Sequence, residues 1–160
     1  MTFEGYLTDV LGDRAIHFIE KSSEKPFFLY LSFTAPHGPM HGKDEDIARF
    51  AHIENPKRRT YASMVWAMDR AIGKVLKELE EQGIADNTMI WFLSDNGGLN
   101  ADSFPPQVVE VVEDLRGWFG RPFSIEAMEF FAQQVEDGAS DNSPLRGGKT
   151  SVYEEGVRVP

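Results

Sequence analysis

The sequence contains no cysteine among its 160 residues. Disulfide bonds, thiolate metal sites and a cysteine nucleophile are therefore excluded within it. Basic residues are also scarce, because 16 Lys and Arg stand against 26 Asp and Glu and the formal net charge is −10. The densest positive run is Lys57, Arg58 and Arg59. A protein that binds duplex nucleic acid needs a basic face that displaces counterions, so this charge balance argues against a nucleic-acid partner.

Long apolar runs are absent as well. No stretch approaches the ~20 apolar residues of a membrane-spanning helix. The first residues, MTFEG, lack the basic and then apolar order of a secretory signal. We therefore expect no membrane partner. With 41% hydrophobic and 12% aromatic residues, however, the chain can bury a core and is predicted to be globular.

Two helices are predicted from the spacing of apolar residues. Over residues 7–24 they recur at intervals of three and four, which is typical of an amphipathic helix whose apolar stripe would face a sheet. A second helix is predicted over residues 55–82. Asn55 can cap its free N–H groups, Pro56 suits the first helical position, and Gly83 provides a left-handed end.

Two short apolar runs are typical of interior strands. Residues 27–33 (FFLYLSF) and 88–93 (TMIWFL) are almost continuously apolar, which favours burial on both faces of a sheet. The alternation of these runs with helices predicts an α/β fold, with helices packed on a mostly parallel or mixed sheet. Residues at about 101–137 are predicted to form a helical insertion.

Polar loops follow both predicted strands. Asp95 and Asn96 come directly after the second run and before two glycines, so their oxygen atoms could bind a hard cation at the rim of the sheet. Calcium takes six to eight oxygen ligands, so further ligands must come from elsewhere. The alternative is an Asx turn, in which the same side chains bond only their own backbone.

His37 follows the first run, in a loop with two prolines and a glycine. An imidazole there could bind an anionic substrate or protonate a leaving oxygen near neutral pH. A structural, hydrogen-bonding histidine is the alternative. His41 is the weaker candidate nearby, and His17 and His52 lie on predicted helices where a structural role is expected.

The segment Arg146, Gly147, Gly148 and Lys149 sets two cations around a flexible glycine pair. Backbone N–H groups and an ammonium in this order suit an oxyanion, and Arg146 is predicted to take part in substrate binding with Lys149. The segment lacks the glycine spacing of a nucleotide-binding P-loop. Alternatively, the two cations are solvated and pair with Glu154 or Glu155.

Three blocks of the sequence resemble a known family. They read KPFFLYLSFTAPHGPM, MVWAMDRAIGKVLKELEEQGIADNTMIWFLSDNGG and PLRGGKTSVYEEGVRVP. These blocks are similar to the middle blocks of the type I sulfatases, relatives of the arylsulfatases within the alkaline phosphatase superfamily. The resemblance implies an alkaline-phosphatase-like fold, with residues 1–160 forming part of a sulfatase catalytic domain.

The resemblance also implies roles for individual residues. Asp95 and Asn96 match the paired Ca²⁺ ligands of the family, and Lys149 matches the lysine that binds the sulfate. His37 matches the histidine that contacts the sulfate and helps to protonate the leaving group. The implied substrate is a sulfated small molecule or a sulfated glycan. A periplasmic, secreted or lysosomal location is also implied.

One part of the family pattern is missing. Sulfatases carry a C/S-x-P-S-R motif whose cysteine or serine is oxidised to the formylglycine nucleophile, and two early aspartates that complete the metal shell. The sequence has no such motif and no adjacent Asp-Asp pair. We therefore interpret the chain as an internal piece of a sulfatase that holds half of the site, and we expect it to be inactive alone.

Two other functions stay open at this stage. A phosphodiesterase or phosphonate hydrolase of the same superfamily would use a threonine or serine nucleophile with more metal ligands. A non-catalytic α/β fragment or interaction module would use none of these residues. The sulfatase interpretation makes one spatial prediction, namely that the loops with His37, with Asp95 and Asn96, and with Lys149 converge on one anion pocket along the sheet rim.

Overall fold

The computed structural model describes residues 3–98, 140–141, 143–149 and 152–157. The chain divides into two compact units, Met1–Ile90 and Trp91–Pro160. The helical insertion predicted at about 101–137 lies outside the described residues.

Helix α1 (Leu7–Ser22) confirms the first predicted helix. Asp9 lies in its first turn and Lys21 in its last turn, where each charge is favourable to the helix dipole. The residues that α1 buries are Thr8, Gly12, Ala15 and Ile19. They recur at intervals of three and four, so one face of α1 carries the contact with the rest of the unit.

Helix α3 (Pro56–Glu81) confirms the second predicted helix and its beginning. The Asn55 side-chain oxygen accepts hydrogen bonds from the backbone N–H groups of Lys57 at 2.9 Å and Arg58 at 3.0 Å. Gly83, beyond the last turn, has a φ of 68°, as predicted for a left-handed end. The 26 residues of α3 are too polar to cross a bilayer, and the same holds for every other helix in the described ranges.

The core of the first unit is the contact between α1 and α3. A Cβ atom added to Gly12 would lie 3.0 Å from the Ala71 Cβ, so small residues let the two helices approach closely. Ile19 of α1 and Ala67 of α3 are each 1% exposed. Within the described residues the apolar face of α1 packs on α3 and no strand is present, so the prediction that α1 faces a sheet stays a prediction.

Three short elements complete the description. Helix α2 (Asp44–Arg49) packs against α3 and begins with three acidic residues, which are favourable at a helix N-terminus. A 3-10 helix (Ala85–Asn87) follows α3. Helix α4 (Glu154–Val157) belongs to the second unit. None of these three was predicted from apolar spacing, because each is shorter than two full turns.

The two predicted strands are not found. Residues 27–33 and 88–93 have no regular secondary structure, and the described ranges contain no strand. Burial of these runs on both faces is not found in this chain, since Phe28 is 87% exposed and Trp91 is 74% exposed. Phe27 is half-buried, and its ring centroid lies 5.6 Å from that of Phe18. A strand requires a neighbouring strand to accept and donate its backbone hydrogen bonds, and neither run has one among the described residues.

Candidate functional site

His37 lies in the first unit, in the segment 34–43 that precedes α2, hereafter the histidine segment. Its backbone N–H donates to the Thr34 carbonyl at 2.8 Å. Its ring Nδ1 lies 2.7 Å from the Gly38 carbonyl oxygen. A carbonyl can only accept, so this contact assigns the hydrogen to Nδ1, and Nε2 carries the lone pair of the neutral ring. The imidazole is exposed.

The other three histidines contact other residues of the first unit. The carbonyl of His41 accepts a hydrogen bond from the Tyr6 hydroxyl at 2.9 Å, so its backbone ties the histidine segment to the residue before α1. His17 Nδ1 lies 3.3 Å from Glu20 Oε2 on the same helix. The His52 ring centroid lies 6.2 Å from that of Phe50.

An ion cluster lies beside the histidine segment. The Arg70 guanidinium of α3 donates to both carboxylate oxygens of Asp46, at 2.7 Å and 3.1 Å, and to Asp9 at 3.0 Å. The Lys43 ammonium lies 2.6 Å from Asp9 and 3.7 Å from Asp46. Asp46 is only 2% exposed. The cluster therefore joins α1, α2 and α3 through groups of opposite charge.

The charges of the cluster shift one another's pKa values. Burial raises the pKa of Asp9, but the hydrogen bonds from Lys43 and Arg70 outweigh it, so the pKa lies below its ordinary value. The hydrogen bond to Asp9 raises the pKa of Lys43, against a smaller opposing effect of burial. The hydrogen bond to Asp46 likewise raises the pKa of Arg70. Asp46 and Arg70 are 24 positions apart, so their contact could not be predicted from the spacing of residues in the sequence.

The loop with Asp95 and Asn96 lies in the second unit. Asp95 Oδ1 accepts a hydrogen bond from the Asn96 backbone N–H at 3.0 Å, and the Ser94 hydroxyl donates to the Asn96 carbonyl at 3.0 Å. One oxygen of the Asp95 carboxylate thus bonds the adjacent backbone, as expected if this loop is only a turn. The Asn96 Oδ1, in contrast, is buried and has no hydrogen-bond partner among the described residues.

Burial of an unpaired acceptor costs about 1–3 kcal/mol, so the Asn96 oxygen favours a cation or a donor from outside the described residues. An amide oxygen beside a carboxylate is the ligand chemistry of a hard cation such as Ca²⁺. Within the described ranges, no group of three or more His, Cys, Asp or Glu side chains could hold a metal ion. Asp95 and Asn96 therefore fit part of a Ca²⁺ shell.

The loop that contains Lys149 begins with an Asx turn, in which Asp141 Oδ1 accepts from the Ser143 N–H at 2.9 Å. Gly147 has a φ of 101°, a conformation that favours glycine. The Arg146 guanidinium carbon lies 4.2 Å from the Tyr153 ring centroid. At this distance the cation is attracted to the face of the ring, which favours one place for the guanidinium.

Two backbone hydrogen bonds join these loops within the second unit. The Lys149 N–H donates to the Gly98 carbonyl at 3.0 Å, and the Gly97 N–H donates to the Gly156 carbonyl at 3.3 Å. The loop with Asp95 and Asn96 is therefore adjacent to the loop with Lys149. His37 belongs to the other unit, and its convergence with these loops stays a prediction.

Comparisons with known proteins agree on one family. The family model described as Sulfatase matches residues 1–160. A sulfatase of Formosa agariphila is 32% identical over 169 residues, which cover 97% of this chain and 24% of that protein. The N-acetylgalactosamine-6-sulfatase of Homo sapiens is 35% identical over 160 residues, covering 99% of this chain and 23% of that protein.

A solved structure is similar over the same extent. The crystal structure of Ps i-CgsB in complex with k-i-k-neocarrahexaose is 36% identical and matches with a TM-score of 0.74. It covers 100% of this chain, and this chain covers 28% of it. The chain thus spans about a quarter of the length of these relatives.

Proposed function

Because this chain belongs to the sulfatase family, we propose that the protein containing it hydrolyses sulfate esters to an alcohol and inorganic sulfate. One observation carries the proposal. The hydrogen bond from the Lys149 N–H to the Gly98 carbonyl, 3.0 Å long, sets a cationic glycine loop beside the loop with Asp95 and Asn96. Carboxylate, amide and ammonium groups on adjacent loops suit a sulfate group held between a metal ion and a lysine.

Asp95 and Asn96 are the proposed ligands of Ca²⁺. The support is the buried Asn96 Oδ1, which has no partner among the described residues, beside the Asp95 carboxylate. When bound, Ca²⁺ would supply positive charge next to the sulfate oxygens. The remaining ligands would come from residues outside this chain, because two side chains cannot fill a shell of six to eight oxygens.

Lys149 and Arg146 are the proposed sulfate-binding side chains. As the bond from sulfur to the leaving oxygen breaks, negative charge develops on oxygen atoms. A fixed cation therefore stabilises the transition state more than it stabilises the bound substrate. The Lys149 loop is supported by its backbone bond to Gly98. Arg146 is supported by its contact with the Tyr153 ring, 4.2 Å from the guanidinium carbon, and by a guanidinium geometry that suits an oxyanion.

His37 is the proposed proton donor. Protonated at Nε2, it would bind a sulfate oxygen and then transfer that proton to the oxygen of the departing alcohol. The support is the bond from Nδ1 to the Gly38 carbonyl, which leaves Nε2 as the nitrogen that exchanges the proton. This role requires His37 to lie near the loops of the second unit in the functional protein.

The nucleophile belongs, in this proposal, to residues outside the 160. Formylglycine would supply the oxygen that attacks sulfur. The exposed runs 27–33 and 88–93 would then be strands of an alkaline-phosphatase-like sheet, paired with strands from the rest of the protein. This chain alone would therefore be inactive.

The proposed substrate is a sulfated glycan or a small sulfate ester. Glycans are supported by two similar proteins, one named for N-acetylgalactosamine 6-sulfate chemistry and one solved with k-i-k-neocarrahexaose. A periplasmic, secreted or lysosomal location is part of the same proposal.

The first experiment compares this chain with a version extended at its amino end and produced with formylglycine-forming machinery. Release of 4-nitrophenol from 4-nitrophenyl sulfate is measured with Ca²⁺ and after chelation. We expect turnover only for the extended, calcium-loaded protein. Faster hydrolysis of bis(4-nitrophenyl) phosphate would favour a phosphodiesterase, and no turnover of either ester would favour a non-catalytic module.

The second experiment tests Lys149 in the extended protein. Lys149→Ala should lower kcat by about 10²-fold, because loss of one fixed donor to a developing oxyanion costs that much in comparable sites. Lys77→Ala, which removes an exposed cation of α3, is the matched control and should leave kcat unchanged. Equal kinetics for Lys149→Ala and the control would remove Lys149 from the site.

A further inference from the structure

The histidine segment is held at its far end by contacts with α1 and α3. The Tyr6 hydroxyl, next to α1, donates to the His41 carbonyl at 2.9 Å. One residue later, a Cβ atom added to Gly42 would overlap the Ser63 Oγ of α3 and lie 3.1 Å from the Ile47 Cγ1. The backbone at Gly42 therefore lies directly against α3.

Ser63 has little freedom to move away from this contact. Its residue is 0% exposed, and its hydroxyl donates to the Thr60 carbonyl at 2.7 Å. The next residue of the segment, Lys43, lies 2.6 Å from Asp9 of α1. In α2, Asp46 is held by Arg70 at 2.7 Å. Three consecutive residues, 41–43, are thus fixed to two helices.

This anchored end lies close to His37 along the chain. Only four residues separate His37 from Gly42, and one of them is Pro39, whose ring fixes φ near −65°. Few rotatable backbone bonds therefore lie between Gly42 and His37. A displacement of the backbone at Gly42 is expected to move the imidazole as well.

We propose that Gly42 and Tyr6 are positioning residues that set the place of the His37 imidazole for proton transfer, and that Ser63 is the surface on which Gly42 packs. The inference rests on the proposed function, in which His37 protonates the leaving oxygen. None of the three touches the substrate in this scheme. They act by fixing the histidine segment, and a displacement of about 1 Å can cost up to about 10²-fold in rate.

The test uses the extended, active protein and two substrates that differ in leaving group. Phenyl sulfate releases a poor leaving group that needs a proton, whereas 4-nitrophenyl sulfate releases a good one that needs it less. Gly42→Ala should lower kcat for phenyl sulfate about tenfold and for 4-nitrophenyl sulfate less than about twofold. Gly73→Ala, which adds a Cβ to α3 with nothing within 4 Å, should change neither.

Rescue separates a positioning role from general damage. Ser63→Ala removes the oxygen that the new Cβ would meet, so the double variant with Gly42→Ala should regain most of the lost phenyl sulfate activity. In a His37→Ala background, Gly42→Ala should cause no further loss, because its effect passes through the imidazole. An additional tenfold loss in that background would overturn the proposal, as would equal losses on both substrates.

Failure of the proposed function gives a different result. If His37→Ala itself leaves the ratio of the two substrates unchanged, His37 is not the proton donor and the positioning proposal falls with it. If His37→Ala changes the ratio and Gly42→Ala does not, only the positioning proposal is overturned.

Should Gly42→Ala not fold, Tyr6→Phe replaces it. Loss of one hydroxyl donor should change the same ratio about two- to threefold, and an unchanged ratio would overturn the proposal.

Discussion

The first unit buries the apolar faces of α1 and α3 against each other, whereas several apolar side chains of the runs 27–33 and 88–93 are exposed. Ile19 of α1 is 1% exposed, but Phe28 is 87% and Trp91 is 74% exposed. A helix satisfies its backbone hydrogen bonds internally and needs only a face to pack on. A strand needs a neighbour for every bond along its edge. Apolar side chains are therefore buried where the two helices meet, and several stay exposed in runs that have no strand partner among the described residues.

The largest effect that would test this contrast is expected at Ile19. Ile19→Ala removes a fully buried side chain from the contact of α1 with α3 and should lower the free energy of unfolding by about 2–5 kcal/mol. Urea unfolding followed by circular dichroism at the helical band measures it. Phe28→Ala is the matched control and should cost no more than about 0.5 kcal/mol in this chain.

The same control sharpens the contrast in the extended protein. If the proposed sheet covers the run 27–33 there, Phe28→Ala should cost about 3–5 kcal/mol, as for other buried phenylalanines. A cost that stays near zero in the extended protein would show that the run is not an interior strand. A large cost already present in this chain would show that Phe28 is not in solvent.

A somewhat smaller effect is expected from the polar part of the helical region. Arg70→Met leaves the Asp46 carboxylate buried, with Lys43 at 3.7 Å as its remaining cation among the described residues. We expect a loss of about 3 kcal/mol, since an uncompensated buried charge is costly. Lys77→Met, which breaks the exposed pair with Glu81, should change stability little. Equal unfolding midpoints for both variants would contradict a role of the cluster in joining the helices.

Two glycines, Gly12 of α1 and Gly73 of α3, differ in how much space surrounds them. Gly12→Ala places a Cβ 3.0 Å from the Ala71 Cβ, and overpacking of this kind should destabilise by about 1–3 kcal/mol. Gly73→Ala meets nothing within 4 Å and should stabilise α3 by about 0.5–1 kcal/mol, because alanine is the better helix former. Thermal unfolding of both variants should therefore move in opposite directions. Movement in the same direction would show that α1 and α3 are not in close contact.

Local signals were sufficient for the two long helices, but they could not decide whether the apolar runs form strands. The Asn55 cap and Pro56 mark the beginning of α3 with hydrogen bonds to the next residues, so the sequence alone predicts it. Helix α2 was not predicted, although three acidic residues at its beginning were a signal. The runs 27–33 and 88–93 have strand composition, yet pairing depends on partners that composition does not specify.

The candidate site divides in the same way. The sequence placed Asp95 and Lys149 in glycine loops, and the adjacency of those loops rests on the bond between Lys149 and Gly98, which no spacing rule predicts. The burial of the Asn96 Oδ1 could not be predicted from the sequence either, because burial depends on packing. The contact of Gly42 with Ser63 joins residues 21 positions apart, beyond the reach of any local pattern.

The smallest expected effect is a pH dependence of the helical region. Because the pKa of Asp9 is lowered on folding, its contribution is present above about pH 4 and is lost as the pH falls through the lowered pKa. Because the pKa of Lys43 is raised, its contribution is present below about pH 10 and is lost as the pH rises through the raised value. Asp9→Asn removes both the shifted carboxylate and the hydrogen-bond acceptor that raises the pKa of Lys43. The unfolding midpoint of this variant should therefore fall less steeply at low pH and at high pH. Asp13→Asn, at a carboxyl that is 64% exposed, is the matched control and should keep the slopes of the original chain. If Asp9→Asn keeps them as well, the ion cluster does not couple proton binding to the packing of α1 on α3.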